Sequence, residues 1–483
     1  MVFGYDQVDM VLWTTFLGKS EGVDCILIFN TPTTGYAVPD LCPSANRRFD
    51  RFPTDFGDSA MTELIIQAEG PALETLKERP IDRASRRIFL TLLKKIRKGK
   101  ITLIEDDQQL MFGERSPANG LSATIRVRHP RFYTKTVFGG TIGSGEAYMA
   151  GLWSPDDLTT VIRIVIQNRQ VFEEMEKGWA RLTEPLNTIY HMLNRNTRSG
   201  SRQNIVAHYD LGNDFYVLFL DETMTYSCGI FEQDGSTLEE ASIAKYDRIC
   251  RKLKLKPGDR VVEIGSGWGG FAVHAVLNYD VHVTTTTISD RQYQYAKARF
   301  QKAGVDDCVQ LLKKDYRDLK GRYDKLVSIE MIEAVGHHYL PTFFKNCSRL
   351  LEDDGLMALQ AITIADQAFD RHKRSADFIK RYIFPGSCIP SVTAIGDAIT
   401  RGTDLRLVHL EDITTHYSRT LREWRNRFFE NIGTVRAMGF SEPFIRMWEF
   451  YLCYCEAGLT ERYIGDVQML FAKPMFRQAI YPN

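Results

Sequence analysis

The spacing of apolar and polar positions divides the chain into three stretches. Through residue 60, short apolar runs are punctuated by Pro32, Pro39, Pro43 and Pro53, and neither the helical nor the strand period persists. Residues 1–60 are therefore expected to be disordered or weakly packed. Met61, where a regular pattern begins, is a candidate start of translation. Residues 61–195 predict a small α+β unit. Residues 72–76 and 88–96 carry helix-spaced apolar side chains, and 101–112 and 123–137 read as strands with hairpin-like connections. Gly139, Gly140, Gly143 and Gly145 predict a turn, and Asp156-Asp157 open a helix running to Phe172.

The polar run 194–203 predicts a linker, placed at 196–203. Beyond it, over 204–483, apolar strands at 260–264, 281–287, 309–313, 325–329 and 356–362 alternate with helical patterns. Such alternation implies an α/β fold, with a parallel sheet covered by helices on both faces.

Composition narrows the class. The 483 residues carry 61 Lys+Arg against 61 Asp+Glu, a balance that argues against nucleic acid as a dedicated partner. No apolar run approaches the ~20 residues of a membrane span. Nine cysteines are scattered without a C-x-x-C pair, which argues against a disulfide framework or zinc ribbon and for a reducing compartment. The first residues lack the charged-then-apolar pattern of a secretory leader. A cytoplasmic location is expected.

The first sharp chemical signal is Glu263-Ile-Gly265-Ser-Gly267-Trp-Gly269-Gly270, between an apolar strand and a helical pattern. Gly265, Gly267 and Gly270 fit G-x-G-x-x-G, so a dinucleotide site has to be weighed. Glu263 opposes it, because a pyrophosphate would repel a carboxylate at the strand's end. An amino-acid ammonium would pair with it. The next strand ends in residues 284–287, all threonine, and offers no acid to a ribose. The pattern favours S-adenosylmethionine over NAD; the bland reading is a glycine turn.

Several motifs then stand together. They are Ala207-His208-Tyr209-Asp210, Asn213-Asp214-Phe215-Tyr216, Met224-Thr-Tyr226-Ser227-Cys228, Ser328-Ile-Glu330-Met-Ile-Glu333 and Tyr382-Ile-Phe384-Pro385. With the glycine loop they cover most of 200–460, and the chain resembles the cyclopropane-fatty-acyl-phospholipid synthase family. Residues 100–160 resemble the small N-terminal domain of its longer members. The resemblance implies a seven-stranded Rossmann-like methyltransferase domain behind an α+β unit serving lipid, membrane or dimer contact. It implies transfer of a methylene from S-adenosylmethionine to the cis double bond of an unsaturated phospholipid acyl chain. A lipid C-methyltransferase leaving a methyl or methylene branch is the alternative outcome.

An alkene attacked by a sulfonium methyl becomes a carbocation, so the site has to be dry and electron-rich. A base must then remove a proton. In the family that base is a bound bicarbonate. By motif position, its cradle would be Cys228 (through the backbone N–H), Glu333, Gln360 and Tyr417. Cys455 would lie on the active-site wall, with Cys453 competing for that register. Gln360 departs from the histidine of well-known members: an amide still donates, but carries no charge, so weaker anion binding is expected. For the cofactor, Tyr226 and Ser227 would lie near the methionine part and Glu263 near its ammonium. Gly265 and Gly267 would admit the ligand to the backbone. Thr287 and Gln292 would meet the ribose, and Tyr316 and Arg317 the adenine. No metal is expected. Taken singly, Cys228 reads equally as a core thiol and Glu333 as a helix-surface carboxylate; the joint motifs decide.

The substrate lies in a bilayer, so a peripheral association with the inner face of the membrane is expected. Residues 83–100 carry Arg83, Arg86, Arg87, Lys94, Lys95, Arg97, Lys98 and Lys100, interleaved with Ile88, Phe89, Leu92, Leu93 and Ile96. That is a basic amphipathic helix, which either lies on anionic lipid or packs on its own domain. Long family members imply a homodimer.

Overall fold

The computed structural model describes residues 78–118, 120–171 and 211–479. The expectations for residues 1–60, for 72–76, for the linker at 196–203 and for His208-Tyr209-Asp210 lie outside the described residues.

A helix, α1 (Pro80–Leu93), opens on proline, where the missing N–H would be unbonded in any case. Strands β1 (Lys100–Glu105) and β2 (Gln108–Gly113) form an antiparallel hairpin. Its tip residue Asp106 has a φ of 46°, the left-handed geometry that two-residue hairpin turns favour. Strand β3 (Ser122–Val127) joins β1 in parallel and β4 (Trp153–Pro155) joins β3 antiparallel, giving the order β2-β1-β3-β4. The apolar face of the basic segment is used internally: Phe89, Leu92, Leu93 and Ile96 are all buried. Of the two readings of 83–100, packing on its own domain is the one seen. Arg83, Arg87 and Lys94 remain exposed.

Residues 131–137 are helix, not strand, within α2 (Arg131–Met149), and the expected glycine turn is present as a kink inside that helix, where Gly140 has φ 53° and ψ −133°. The aromatic and β-branched residues 132–137 favour a strand by propensity, but Phe132, Tyr133 and Val137 bury against the core, and packing overrides so weak a preference. The kink brings its two halves into close approach. A Cβ on Gly143 would lie 2.0 Å from the Lys135 carbonyl oxygen, and one on Gly145 would lie 2.4 Å from the Phe378 ring. The expected helix after Asp157 is α3 (Leu158–Gln167), capped by the Asp157 carboxylate on the Thr160 N–H.

The second sheet has seven strands. They are β5 (Arg260–Ile264), β6 (His282–Thr287), β7 (Val309–Lys313), β8 (Tyr323–Ile329), β9 (Leu351–Ile364), β10 (Arg406–Asp412) and β11 (Ile464–Ala472). Their order is β10-β11-β9-β8-β5-β6-β7, with β11 antiparallel to both neighbours and the pairs from β9 to β7 parallel. Five strands fall where the apolar runs predicted them. The other two escaped because β10 is largely exposed and Asp466 and Gln468 interrupt the apolar run of β11, although both are buried.

Among the helices, α4 (Leu238–Lys252) precedes β5, α5 (Gly270–Tyr279) connects β5 to β6, and α6 (Asp290–Ala303) connects β6 to β7. Helices α7 (Thr414–Glu430) and α8 (Glu442–Thr460) bridge to the small sheet. Arg163 on α3 meets Glu461 at 2.7 Å, and buried Glu456 accepts from Thr159 at 3.3 Å and pairs with Arg425 at 3.3 Å. One apolar cluster holds Phe89, Leu103 and Ile125 together with Phe378, Trp424 and Trp448, so the small sheet shares a core with α7, α8 and the 378–382 segment. Among the described residues, no helix is long and apolar enough to cross a membrane.

Candidate active site

A cavity of about 540 Å³ begins at the C-terminal end of β5 and continues to the core of the small sheet. Every residue expected at the cofactor lines it: Tyr226, Ser227, Glu263, Gly265, Gly267, Thr287, Gln292, Tyr316 and Arg317. Gly265 and Gly267 turn at φ 98° and 49°, conformations that favour glycine. A Cβ at Gly267 would meet nothing within 4 Å, so that backbone is open to a ligand. Glu263 is buried, and burial pushes its carboxyl up to about 7, held back by the Thr285 hydroxyl at 2.6 Å and by Lys245. A ligand ammonium would stabilise its charged form. The Thr287 hydroxyl donates to Gln292 Oε1 at 2.9 Å, and Asp315 grips Arg317 at 2.7 and 2.6 Å. This donor set fits S-adenosylmethionine: a carboxylate for the ammonium, polar groups for the ribose and an aromatic for the adenine.

Deeper in, three of the four expected cradle residues, Cys228, Gln360 and Tyr417, converge on a carboxylate that the chain itself provides. The Cys228 N–H donates to Glu330 Oε1 at 2.8 Å, Gln360 Nε2 to the same oxygen at 2.7 Å, and the Tyr417 hydroxyl to Oε2 at 2.6 Å. The amide of Gln360 is fixed in direction. Its Oε1 accepts from Gln468 Nε2 at 3.0 Å, and Gln468 Oε1 accepts from Lys252 at 2.6 Å. Glu330 stands at the end of β8 with a φ of 47°, an uncommon conformation for a non-glycine that costs on the order of 1–3 kcal/mol. Glu333 stands apart: its Oε1 accepts from the Ile362 N–H at 2.6 Å, and its Oε2 has no partner among the described residues. Burial first, and the Glu330 charge second, push the Glu333 carboxyl up to about 8. Asp466, fully buried, is pushed well above the carboxylate range by the same causes, with Glu333 adding to them.

Cys455 lines the cavity, while Cys453 is turned away and accepts from Arg425 Nη1 at 2.8 Å; geometry separates the two registers. Cys228 and Gln360 lie behind Glu330, off the cavity wall. Tyr226, Trp268, Phe384, Tyr417, Tyr451 and Tyr454 wall the middle of the cavity, and the Tyr226 and Tyr451 hydroxyls meet at 2.8 Å. Past them the lining turns apolar, through Ile125, Phe132, Val161 and Val165 of the small unit.

Residues 196–469 match the family described as mycolic acid cyclopropane synthetase. The chain belongs to that family. It is 38% identical over 336 residues to the tuberculostearic acid methyltransferase UfaA1 of Mycobacterium tuberculosis, spanning 68% of this chain and 78% of that one. It is 36% identical over 360 residues to the cyclopropane-fatty-acyl-phospholipid synthase of Escherichia coli K12, spanning 73% and 88%. The solved cyclopropane synthase MmaA2 of Mycobacterium tuberculosis superposes with a TM-score of 0.53 at 32% identity, over 56% of this chain and 98% of that one. The synthase CmaA1, solved with SAH and CTAB, gives the same score, identity and coverage. This synthetase-family member is thus a methyltransferase dependent on S-adenosylmethionine and acting in lipid modification.

The bicarbonate expected from the family resemblance does not fit these residues. The donors that would hold the ion are occupied by the Glu330 carboxylate. Sequence reasoning also missed Lys245 and Asp466. Lys245 is fully buried, donates to Ser227 Oγ at 2.8 Å, and is pulled down to about 8 by burial. It sits on the apolar face of α4, in line with Leu238, Ala241 and Ile249. A charge on that face was a legible signal.

Proposed function

We propose that this protein is a cyclopropane fatty acid synthase acting on the cis double bond of an unsaturated phospholipid acyl chain. When bound, S-adenosylmethionine supplies an electrophilic methyl. Glu263 pairs with the cofactor's ammonium, and the open backbone at Gly267 admits it. Thr287, Gln292, Tyr316 and Arg317 hold the nucleoside. The aromatic wall excludes water and stabilises positive charge on the acyl chain, at ~0.5–2 kcal/mol per well-placed ring. The apolar branch toward Val165 takes the end of the chain. The observation that carries the reading is the single cavity joining a cofactor loop, a carboxylate cluster and an apolar branch.

A second reading, a methyl or methylene branch in place of the ring, is favoured by the 38% identity to a protein named tuberculostearic acid methyltransferase. Either product requires access to a bilayer. The exposed Arg83, Arg87 and Lys94 support a peripheral, electrostatic attachment, at ~1 kcal/mol per basic residue near an anionic surface. Assembly as a homodimer belongs to the same reading. The test is incubation with S-adenosylmethionine and vesicles of unsaturated phospholipid. A gain of one CH2 in the acyl chain is expected by mass spectrometry, with cyclopropane protons by NMR. Exomethylene or methyl signals select the branch, and unmodified lipid overturns both.

A further inference from the structure

We propose that the Glu330 carboxylate is itself the proton acceptor of this reaction, standing in the donor cradle where a free bicarbonate would otherwise be held. The inference rests on the reading above and names the base it leaves open. Geometry carries it. The Cys228 N–H, the Gln360 amide and the Tyr417 hydroxyl converge on the two oxygens of one carboxylate, at 2.8, 2.7 and 2.6 Å. Donors so placed hold both carboxylate oxygens in a fixed orientation. Of the acceptor and its donors, Glu330 and Tyr417 line the cavity, while Cys228 and Gln360 reach it only through Glu330.

Two further features agree. The backbone at Glu330 has a φ of 47°, a glycine-favouring geometry, so the side chain is kept against local preference, as happens at functional sites. The neutral Gln360 also finds an explanation. A diffusible anion has to be captured from solution, which a charged partner helps. A tethered carboxylate is already in place, and holding a reacting group in position replaces that binding step.

The step balances. Methyl transfer to one alkene carbon leaves the positive charge on the other. One C–H bond of the added methyl breaks, its proton goes to a Glu330 oxygen, and its electron pair closes the C–C bond of the ring. After a hydride shift, the same proton loss leaves a methylene branch instead. Glu330 ends as a neutral acid and returns its proton to solvent.

The experiment compares wild type, Glu330→Gln and Glu330→Gly in carbonate-depleted buffer, with and without added bicarbonate. S-adenosylhomocysteine formation on unsaturated phospholipid vesicles is followed, and each variant is checked for thermal stabilisation by S-adenosylhomocysteine. Wild-type turnover is expected to be indifferent to bicarbonate. Glu330→Gln should bind the ligand normally yet lose at least ~100-fold in turnover, the range of a lost general base. Bicarbonate should not rescue it, because the amide fills the cradle. Glu330→Gly suits the backbone and empties the cradle, so added bicarbonate should restore activity at least ~10-fold, as an external base replaces the missing one. Stimulation of the wild type by bicarbonate, near-normal turnover of Glu330→Gln, or no rescue of Glu330→Gly would each overturn the proposal. A wild type that forms no S-adenosylhomocysteine on lipid sinks the functional reading first, and this one with it.

Discussion

Glu263 and Glu333 are buried acids whose neutral forms the fold favours, pushed up to about 7 and 8, mainly by burial. A carboxyl raised on folding contributes stability below its unfolded value, and that stability is lost as pH rises through the folded one. The unliganded protein should therefore lose stability between about pH 4.5 and 8, Glu263 contributing ~3 kcal/mol of the loss. Melting temperature against pH reads this, and Glu263→Gln should flatten the curve below pH 7. Because a ligand ammonium favours ionised Glu263, S-adenosylhomocysteine should bind more tightly at pH 8 than at pH 6. Calorimetry on Glu263→Gln should find that difference gone. Glu333 has a separate task. Its Oε1 holds the Ile362 N–H, its Oε2 has no partner among the described residues, and it feels the Glu330 charge. Glu333→Gln keeps an acceptor for Ile362, so it should fold and bind ligand while turnover falls at least ~10-fold, about 1.4 kcal/mol of transition-state stabilisation. Unchanged turnover would remove Glu333 from the site.

At the scale of elements, the glycines of α2 set how closely that helix meets the 378–382 segment. A Cβ on Gly145 would lie 2.4 Å from two ring carbons of Phe378, which is fully buried. Gly145→Val therefore forces apart the small sheet's helix and the segment beside the cavity. Overpacking of this kind costs ~1–3 kcal/mol, read as a lower midpoint in urea. Gly139→Val, where a Cβ meets nothing within 4 Å, is the control and should cost less. Strand β11 shows the converse economy. Asp466 and Gln468 are buried polar residues that break its pattern, and Gln468 aims the Gln360 amide. An element can look irregular because it is part of the site.

At the scale of the whole molecule, the shared core makes the cavity longer than either sheet could alone. Val165 on α3 lines its apolar branch, remote in sequence from the cofactor loop. Val165→Trp would fill that branch without touching Glu263 or Gly267. Thermal stabilisation by S-adenosylhomocysteine should be unchanged, while KM for long-chain phospholipid rises several-fold. An equal loss of ligand binding would mean that the cavity does not divide in this way.

The sequence by itself determined the parallel strands β5 to β9, because each is a short run flanked by turn residues, and β5, β8 and β9 are apolar and largely buried, whereas β6 is mostly threonine and the edge strand β7 only partly buried. It also grouped Glu263, the glycines and the threonines, which lie close together in the chain and line one end of the cavity. It misread residues 131–137, because propensity there favours strand, whereas the helix is decided by what Phe132 and Val137 pack against; the glycine turn it expected is the kink at Gly140. The motifs named Cys228, Gln360 and Tyr417, which the fold brings together, but also Glu333, which stands apart, and they did not give the carboxylate between the three. Glu330 was visible beside Glu333, yet nothing in the chain's order says which of two neighbouring carboxylates faces Cys228, Gln360 and Tyr417. The left-handed turn at the end of β8 and the amide chain from β11 decide that, and both exist only once distant strands have paired.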